Sequence, residues 1–182
     1  MRVCSSATKK KHTPGGMKHH PLASPWTWYL HKEGSDGYKS TLAVAGSCET
    51  IESFWRLKNN IPSFQKAFAR HTILLVEKSP VTGMSFFRGT VTPEWEHAQN
   101  VNGVIMECKG SFDAKAVDEM FLAQLMKLVG NVAPVSCNGI RVVHKNGRKS
   151  FYKIEMWYRA GSTAADHAFF DSSSFRFRRC HA

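Results

Sequence analysis

The 182-residue sequence lacks any apolar run that approaches the roughly 18 residues needed to cross a membrane. Its five cysteines are scattered, and none forms a CxxC pair. This pattern predicts reduced thiols in a cytosolic or nuclear protein, with neither a zinc site nor a disulfide framework. The nine histidines are not spaced as metal ligands either. The sequence therefore predicts neither a membrane-spanning segment nor a metal site built from cysteine or histidine.

Acidic residues are also scarce. The sequence contains 14 Asp and Glu but 25 Lys and Arg, which gives a formal net charge of +11. Such an excess of positive charge indicates a polyanionic partner, which could be nucleic acid, nucleotide phosphates or an anionic membrane. The alternative is a basic soluble protein without such a partner. With 42% hydrophobic residues, the chain is typical of a globular domain.

The pattern along the chain predicts a flexible basic arm at residues 1–19 and a single domain at residues 20–182. Residues 160–182 could form a short edge strand or be disordered. Residues 79–102 are predicted to be a long loop. Helices are predicted at 50–61, beginning at the N-cap Thr50, and at 114–130. Strands are predicted at 26–32, 38–46, 71–78, 103–110, 139–145 and 150–159. This order predicts an α+β domain with an antiparallel sheet and helices on one face.

Both predicted helices carry more apolar surface than one buried face requires. On the first helix, Phe54, Leu57 and Ile61 form a core stripe, and Trp55 lies roughly 100° around the helix beside Ile51. On the second helix, a core stripe of Val117, Phe121, Leu125 and Leu128 is flanked by a second stripe of Leu122, Met126 and Val129. The surplus residues are either buried between packed helices or form an exposed patch for a partner helix.

The segment TPEWEH, residues 92–97, places Trp95 after a proline that disfavours a helix or a central strand. Trp95 is therefore predicted on a loop, as is Tyr38 after the turn-rich EGSDG. Two aromatic rings from separate segments can hold a flat base, and stacking contributes about 1–3 kcal/mol per base. A cationic base adds cation–π attraction. Glu96 could accept two hydrogen bonds from the Watson–Crick edge of guanine.

A basic cluster surrounds the predicted turn at Asn146-Gly147 and could hold phosphates. Its members are Lys145, Arg148, Lys149 and Lys153. Trp157 follows on the strand face of Lys153 because side chains alternate along a strand. A two-residue turn would place Lys145 and Lys153 on opposite faces, whereas a wider loop or a bulge would place them on one face. Taken singly, each residue also has an ordinary explanation. Trp95 could simply pack beneath its own loop, Glu96 could be a solvated charge, and the lysines could keep the protein soluble.

Five stretches together resemble the cap-binding translation initiation factor 4E family. They are HPL…PWTWYLHK (20–32), ETIESFWRLKNNI (49–61), TPEWEH (92–97), FLAQLMKLVG (121–130) and GIRVVHK…YKIEMW (139–157). The resemblance implies a curved antiparallel sheet with helices on its convex face. It also implies a concave slot for the 7-methylguanosine cap of messenger RNA, in a monomer without enzymatic activity or cofactor.

The resemblance assigns a role to each part of the concave slot. It implies that Tyr38 and Trp95 stack on the base, that Glu96 reads guanine, and that Trp157 lies against the 7-methyl group. Lys145 and Lys153 match the phosphate ligands, and Arg148 and Lys149 are the alternatives for either position. Tyr38 stands where the family has tryptophan, so its stacking face is smaller. The tail is shorter than in the family, and its arginines, Arg176, Arg178 and Arg179, could contact phosphate or RNA in place of the missing segment.

On the convex side, the resemblance implies a surface that docks a helical segment of the 4G scaffold or of 4E-binding repressors. The matching residues are His20, Pro21, Ile51, Trp55, Leu122 and Met126. The sequence therefore predicts an mRNA cap-binding protein that docks a 4G-type scaffold in translation initiation. The alternatives are a general single-stranded RNA-binding protein and a cap-binding repressor that does not engage the scaffold. A cap-cleaving enzyme is disfavoured because the acidic residues are dispersed.

Overall fold

The computed structural model describes residues 19–32, 41–68, 75–76, 78–145, 150–170 and 175–180. Its helices are α1 (Ile51–Asn60), α2 (Phe64–Ala67), α3 (Ala114–Val129) and α4 (Ala164–Ala168). Its strands are β1 (Pro21–Lys32), β2 (Thr41–Thr50), β3 (Leu75–Val76), β4 (Ser79–Arg88), β5 (Val104–Gly110), β6 (Cys137–Lys145), β7 (Phe151–Tyr158) and β8 (Arg178–Cys180). In this part of the chain, no helix is long and apolar enough to span a membrane.

The strands form one antiparallel sheet in the order β2-β1-β4-β6-β7-β5-β8, and β3 pairs with the start of β4. Alternate residues of the central strands pack with the helices in the main hydrophobic core on one face of the sheet, which is the convex face. This core contains Phe54 of α1, Phe121 of α3 and Phe86 of β4, and the Trp26 ring stacks on Phe86 at 5.2 Å. The α+β class, the single domain and the position of the helices are confirmed.

Strand β4 is the largest departure from the sequence prediction, which placed residues 79–102 in a loop. Residues 79–88 instead form a central strand between β1 and β6, and the connecting loop covers only residues 89–103. Pro80 is tolerated because it pairs only with Leu75, before the ladder to β1 begins at Val81. The strand predicted at 71–78 is described only as β3, and its other residues, apart from Lys78 in a turn, lie outside the described residues.

Three of the helix boundaries follow directly from local chemistry. The Thr50 hydroxyl accepts a hydrogen bond from the Ser53 backbone N–H at 3.1 Å, and the Ser53 hydroxyl accepts one from the Thr50 N–H at 2.9 Å. This capping box begins α1 and confirms Thr50 as the N-cap. Asp113 caps α3, which ends at Gly130 as the sequence predicts.

The tail combines an unpredicted helix with an edge strand. The short helix α4 begins at a capping box of Thr163 and Asp166, and β8 pairs with β5 at the edge of the sheet. Buried Phe175 and Phe177 hold the segment before β8 against the core. The edge-strand alternative is thus confirmed for residues 178–180, whereas α4 was missed.

Candidate functional site

Trp95 and Trp157 come together on the concave face of the sheet. Trp157 of β7 is buried, and its ring meets Phe87 of β4 edge to face at 5.7 Å. Trp95, on the loop between β4 and β5, is 40% exposed, and its ring centroid lies 4.9 Å from that of Trp157 at an angle of 42°. The predictions that Trp95 lies on a loop and that Trp157 shares a strand face with Lys153 are confirmed.

A glycine makes room for this aromatic cluster. Gly139 of β6 pairs with both Phe87 and Trp157 across the sheet. A Cβ atom at Gly139 would lie 2.4 Å from the Phe86 carbonyl oxygen and 2.7 Å from the Phe87 ring. Any larger residue would therefore displace the β4 backbone or the Phe87 ring.

Two buried asparagines, which sequence reasoning missed, hold the Trp95 loop. The Asn100 amide donates to the backbone carbonyls of Thr92 and Glu94, both at 2.8 Å. The Asn138 amide of β6 donates to the Asn100 side-chain oxygen and to the Gln99 carbonyl, both at 2.9 Å. These bonds fix the backbone on either side of Trp95 to the sheet. Asparagine in a loop is usually a turn residue, so the sequence carries no signal for this pairing.

A row of charged residues, hereafter the charged row, crosses the concave face beside Trp157. Its members lie opposite one another on β6, β7, β5 and β8, and they are Arg141, Glu155, Glu107 and Arg178. Glu155 is 2% exposed and accepts a hydrogen bond from the Trp157 indole N–H at 3.1 Å. It also pairs with Arg141 at 3.5 Å. The Glu155 carboxylate therefore fixes the orientation of the Trp157 ring.

Lys153 lies two residues before Glu155 on β7, on the same face of the strand, and its side chain reaches the charged row. Its Nζ atom lies 2.5 Å from one Glu155 oxygen and 3.3 Å from a Glu107 oxygen. Burial alone would lower the pKa of Lys153, but the hydrogen bonds and charges of Glu155 and Glu107 outweigh it, so the pKa is raised. Lys153 is therefore charged and engaged with two carboxylates.

The register of β6 and β7 decides the face on which Lys145 lies. Lys145 pairs with Phe151, and Val143 pairs with Lys153. Since opposite residues share a face, Lys145 and Lys153 lie on the same face, as the wider-loop alternative requires. Lys145 is exposed at the end of β6.

The remaining predicted residues of the slot divide into described and undescribed positions. Glu96 is exposed beside Trp95. Arg178 lies opposite Glu107, and Arg176 and Arg179 are exposed near it. Three predictions, Tyr38, Arg148 and Lys149, lie outside the described residues.

The predicted docking residues lie on the helix side of the sheet, where several apolar side chains are exposed. Ile51, Trp55 and Met126 are 45%, 36% and 43% exposed. Leu122 is half-buried and lines, with Ile61, a cavity of about 190 Å³. Ile51, Trp55 and Met126 are thus exposed rather than buried between the helices, whereas Val129 packs against the core. The set His20, Pro21, Ile51, Trp55, Leu122 and Met126 is hereafter the apolar patch.

His20 and Glu52 fix the polar edge of the apolar patch. The Glu52 carboxylate accepts from the His20 ring at 2.6 Å and from the His20 backbone N–H at 3.2 Å. The His20 side-chain hydrogen bond is the main cause that lowers the pKa of Glu52 to about 2. The contact, together with the bond from Ile51 N–H to the His20 carbonyl at 2.9 Å, joins the start of β1 to α1.

Comparison with known proteins places this chain in a family. Residues 21–172 match the family model described as eukaryotic initiation factor 4E. The chain belongs to the eukaryotic initiation factor 4E family. Among curated relatives, initiation factor 4E-2 of Schizosaccharomyces pombe is 28% identical over 145 residues. The match covers 79% of this chain and 55% of the relative, so the chain spans little more than half of that protein's length.

Solved structures of initiation factor 4E share the fold. The Ascaris suum protein, in complex with an m2,2,7G cap, superposes with a TM-score of 0.65 at 20% identity and covers 89% of this chain and 91% of its own. The Schistosome protein, in complex with m7GpppG and 4E-BP, has a TM-score of 0.62 at 19% identity. This match covers 84% of this chain and 78% of the Schistosome chain. The sheet and helices of this chain are therefore those of an initiation factor 4E.

Proposed function

We propose that this member of the initiation factor 4E family binds the 7-methylguanosine cap of messenger RNA in its concave slot. The observation that carries the proposal is the pairing of exposed Trp95 with buried Trp157, beside the exposed carboxylate of Glu96. The m7GpppG and m2,2,7G complexes of structures with the same fold support it. The protein binds its ligand without catalysing a reaction. It acts in the cytoplasm, and the nucleus is a further proposed location.

In this proposal, each side chain of the slot meets a different part of the cap. The methylated base carries a positive charge, so it is attracted to the faces of Trp95 and Tyr38 more strongly than neutral guanine is. Trp157, held by Glu155, lies against the methyl group. Glu96 accepts two hydrogen bonds from the guanine edge, and Lys145 attracts the phosphates.

Titration with 7-methyl-GTP and GTP at several salt concentrations tests this proposal. The wild-type protein is expected to bind the methylated nucleotide at least about tenfold more tightly, the equivalent of about 1.4 kcal/mol. Glu96→Ala should weaken both nucleotides, because both guanine edges lose their acceptor. Glu94→Ala is the matched control, since it removes the same charge from the same loop and should leave both affinities nearly unchanged.

Equal affinity of the wild-type protein for 7-methyl-GTP and GTP would contradict cap binding. It would favour a general single-stranded RNA-binding protein, which uses the same aromatic residues and basic charge without reading the methyl group.

We further propose that the apolar patch docks an amphipathic helix of a 4G-type scaffold or of a 4E-binding protein. Trp55, Ile51 and Met126 expose apolar surface that a soluble monomer has no folding reason to display. The 4E-BP complex of the Schistosome protein supports the assignment. A protein that binds the cap but no scaffold helix would instead be a translational repressor.

Trp55→Ala is expected to weaken binding of a scaffold helix peptide by at least about 30-fold, because truncation of an interface tryptophan typically costs about 2 kcal/mol or more. Its affinity for 7-methyl-GTP should stay within about twofold of wild type, since the patch and the slot lie on opposite faces. Calorimetric titration with peptide and nucleotide measures both. Loss of both affinities together with an altered circular-dichroism spectrum would instead make Trp55 a core residue.

A further inference from the structure

The two lysines assigned to phosphate binding lie in different electrostatic surroundings. Lys153 is held between Glu155 and Glu107, at 2.5 Å and 3.3 Å. Lys145 is exposed at the end of its strand and has no carboxylate partner among the residues that the structure describes. The two lysines therefore differ in what they can offer an incoming phosphate.

The contacts of Glu155 prevent Lys153 from turning away. Glu155 is 2% exposed, and it accepts hydrogen bonds from Trp157 and Lys153 and pairs with Arg141. If Lys153 moved to a ligand, a buried carboxylate would lose its shortest ion pair, which is strongly unfavourable. Glu107, which is engaged by Lys109 at 2.7 Å, is a second carboxylate at the same ammonium group.

The charges around Lys153 also oppose an approaching anion. A phosphate within reach of its Nζ atom would lie close to both carboxylates, and their repulsion offsets most of the attraction of the ammonium group. Arg141 and Lys109 balance the carboxylates without adding a cation that is open to the slot, because each is already paired. Lys145 carries no such compensation from the described residues.

We propose that Glu155 and Glu107 withhold Lys153 from the nucleotide, so that Lys145 is the one of the two lysines that binds the phosphate chain. The inference rests on the function proposed above and specifies its ligand preference. The protein should discriminate less between 7-methyl-GTP and 7-methyl-GMP than it would with both lysines available, because only Lys145 of the two is open to the phosphate chain. Glu155 is then a specificity-determining residue that both orients Trp157 and limits phosphate recognition.

The test compares affinities for 7-methyl-GTP and 7-methyl-GMP in the wild-type protein and in Glu155→Gln, at low and at physiological salt. Glutamine keeps an oxygen that can accept from Trp157 but releases Lys153 from one negative charge. The triphosphate-to-monophosphate affinity ratio is expected to rise about fivefold in the variant, as expected for removal of one nearby charge in a medium of high dielectric constant. It should also become more sensitive to salt.

Glu119→Gln is the matched control. Glu119 is an exposed residue of α3 on the opposite face, so the same loss of charge there should leave the ratio unchanged. Glu107→Gln provides a second route to the same result should Glu155→Gln fold poorly, and it should move the ratio in the same direction.

The outcomes separate this inference from the function on which it rests. An affinity ratio that rises in Glu155→Gln or Glu107→Gln but not in Glu119→Gln supports the inference. An unchanged ratio in both folded variants, while 7-methyl-GTP still binds, overturns the inference and leaves cap binding intact. Failure of every protein to bind either methylated nucleotide overturns both.

Discussion

Trp95→Ala is expected to lower the affinity for 7-methyl-GTP by about 10-fold to 100-fold, because the loss of one stacking ring costs about 1–3 kcal/mol and cation–π attraction is lost with it. The affinity for GTP should fall less, since neutral guanine gains no cation–π attraction. The preference for the methylated nucleotide should therefore nearly disappear. Fluorescence or calorimetric titration of both nucleotides measures the change.

The folded state should tolerate this substitution. Trp95 is 40% exposed, and its loop is held by hydrogen bonds from the side-chain amides of Asn100 and Asn138 rather than by its own ring. The melting temperature of Trp95→Ala should therefore lie close to that of the wild-type protein. A large loss of stability would show that the ring mainly protects Trp157.

Trp55→Ala is the matched control for this substitution, because it removes the same side chain at 36% exposure from the other face. Nucleotide binding by this variant should be unchanged. If Trp95→Ala reduced the affinities for 7-methyl-GTP and GTP by the same factor, the ring would act as a general base-stacking surface. That result would support the general RNA-binding alternative.

The parts of the site that depend on short-range sequence could be predicted. Pro93 indicated a loop at Trp95, and strand alternation placed Trp157 on the face of Lys153 and Glu155. Helical periodicity identified the surplus apolar surface around Trp55, although only the fold decides which of those side chains remain exposed. In each case, the deciding interactions lie within one element.

Strand β4 could not be recognised because it contains the residues that usually interrupt strands. Pro80 and Gly83 suggest a loop, yet Pro80 stands before the main ladder and Gly83 lies where the neighbouring β6 backbone comes close. A Cβ atom at Gly83 would lie 2.5 Å from the Val142 carbonyl oxygen. The glycine therefore permits close packing between two central strands rather than breaking one.

The electrostatic environment of the slot could not be predicted from the sequence either, because it depends on pairing between strands that are distant along the chain. Glu155 and Lys153 are neighbours on one strand face, but Glu107 and Arg141 reach them from β5 and β6. The Asn100–Asn138 contact likewise joins a loop to β6 across 38 positions. The register in which the strands pair determines such contacts. This register is set only when the sheet assembles, so the sequence of one strand does not reveal it.

The stability of the protein is expected to fall steeply as the pH drops from about 6.5, the ordinary histidine pKa, because of His31. This histidine is 1% exposed on the concave face of β1, and its Nε2 atom lies 2.9 Å from the Ser85 hydroxyl. Burial, with a smaller contribution from the charge of Arg141, lowers its pKa to about 3. His31 therefore stays neutral in the folded protein down to acidic pH.

The sign of the effect follows from proton binding. Between about pH 3 and pH 6.5 the unfolded chain binds a proton at His31 that the folded protein does not, so the free energy of unfolding rises with pH in this window. The slope contributed by one such group is about 1.4 kcal/mol per pH unit. Denaturant titrations between pH 4.5 and pH 6.5 measure this slope together with the contributions of His144 and His167, whose pKa values burial also lowers. Glu52, with its pKa lowered to about 2, loses its contribution mainly at lower pH.

His31→Asn should remove most of this slope, because asparagine can bond to Ser85 without titrating. His144→Asn is the comparison, since His144 is only half-buried and burial lowers its pKa as well, so a smaller part of the slope should disappear. An undiminished slope in His31→Asn, from a variant that still unfolds cooperatively, would show that His31 becomes charged inside the folded sheet. Its burial between Ser85 and Arg141 would then have to open at acidic pH, which would disturb the same concave face that carries Glu155 and Trp157.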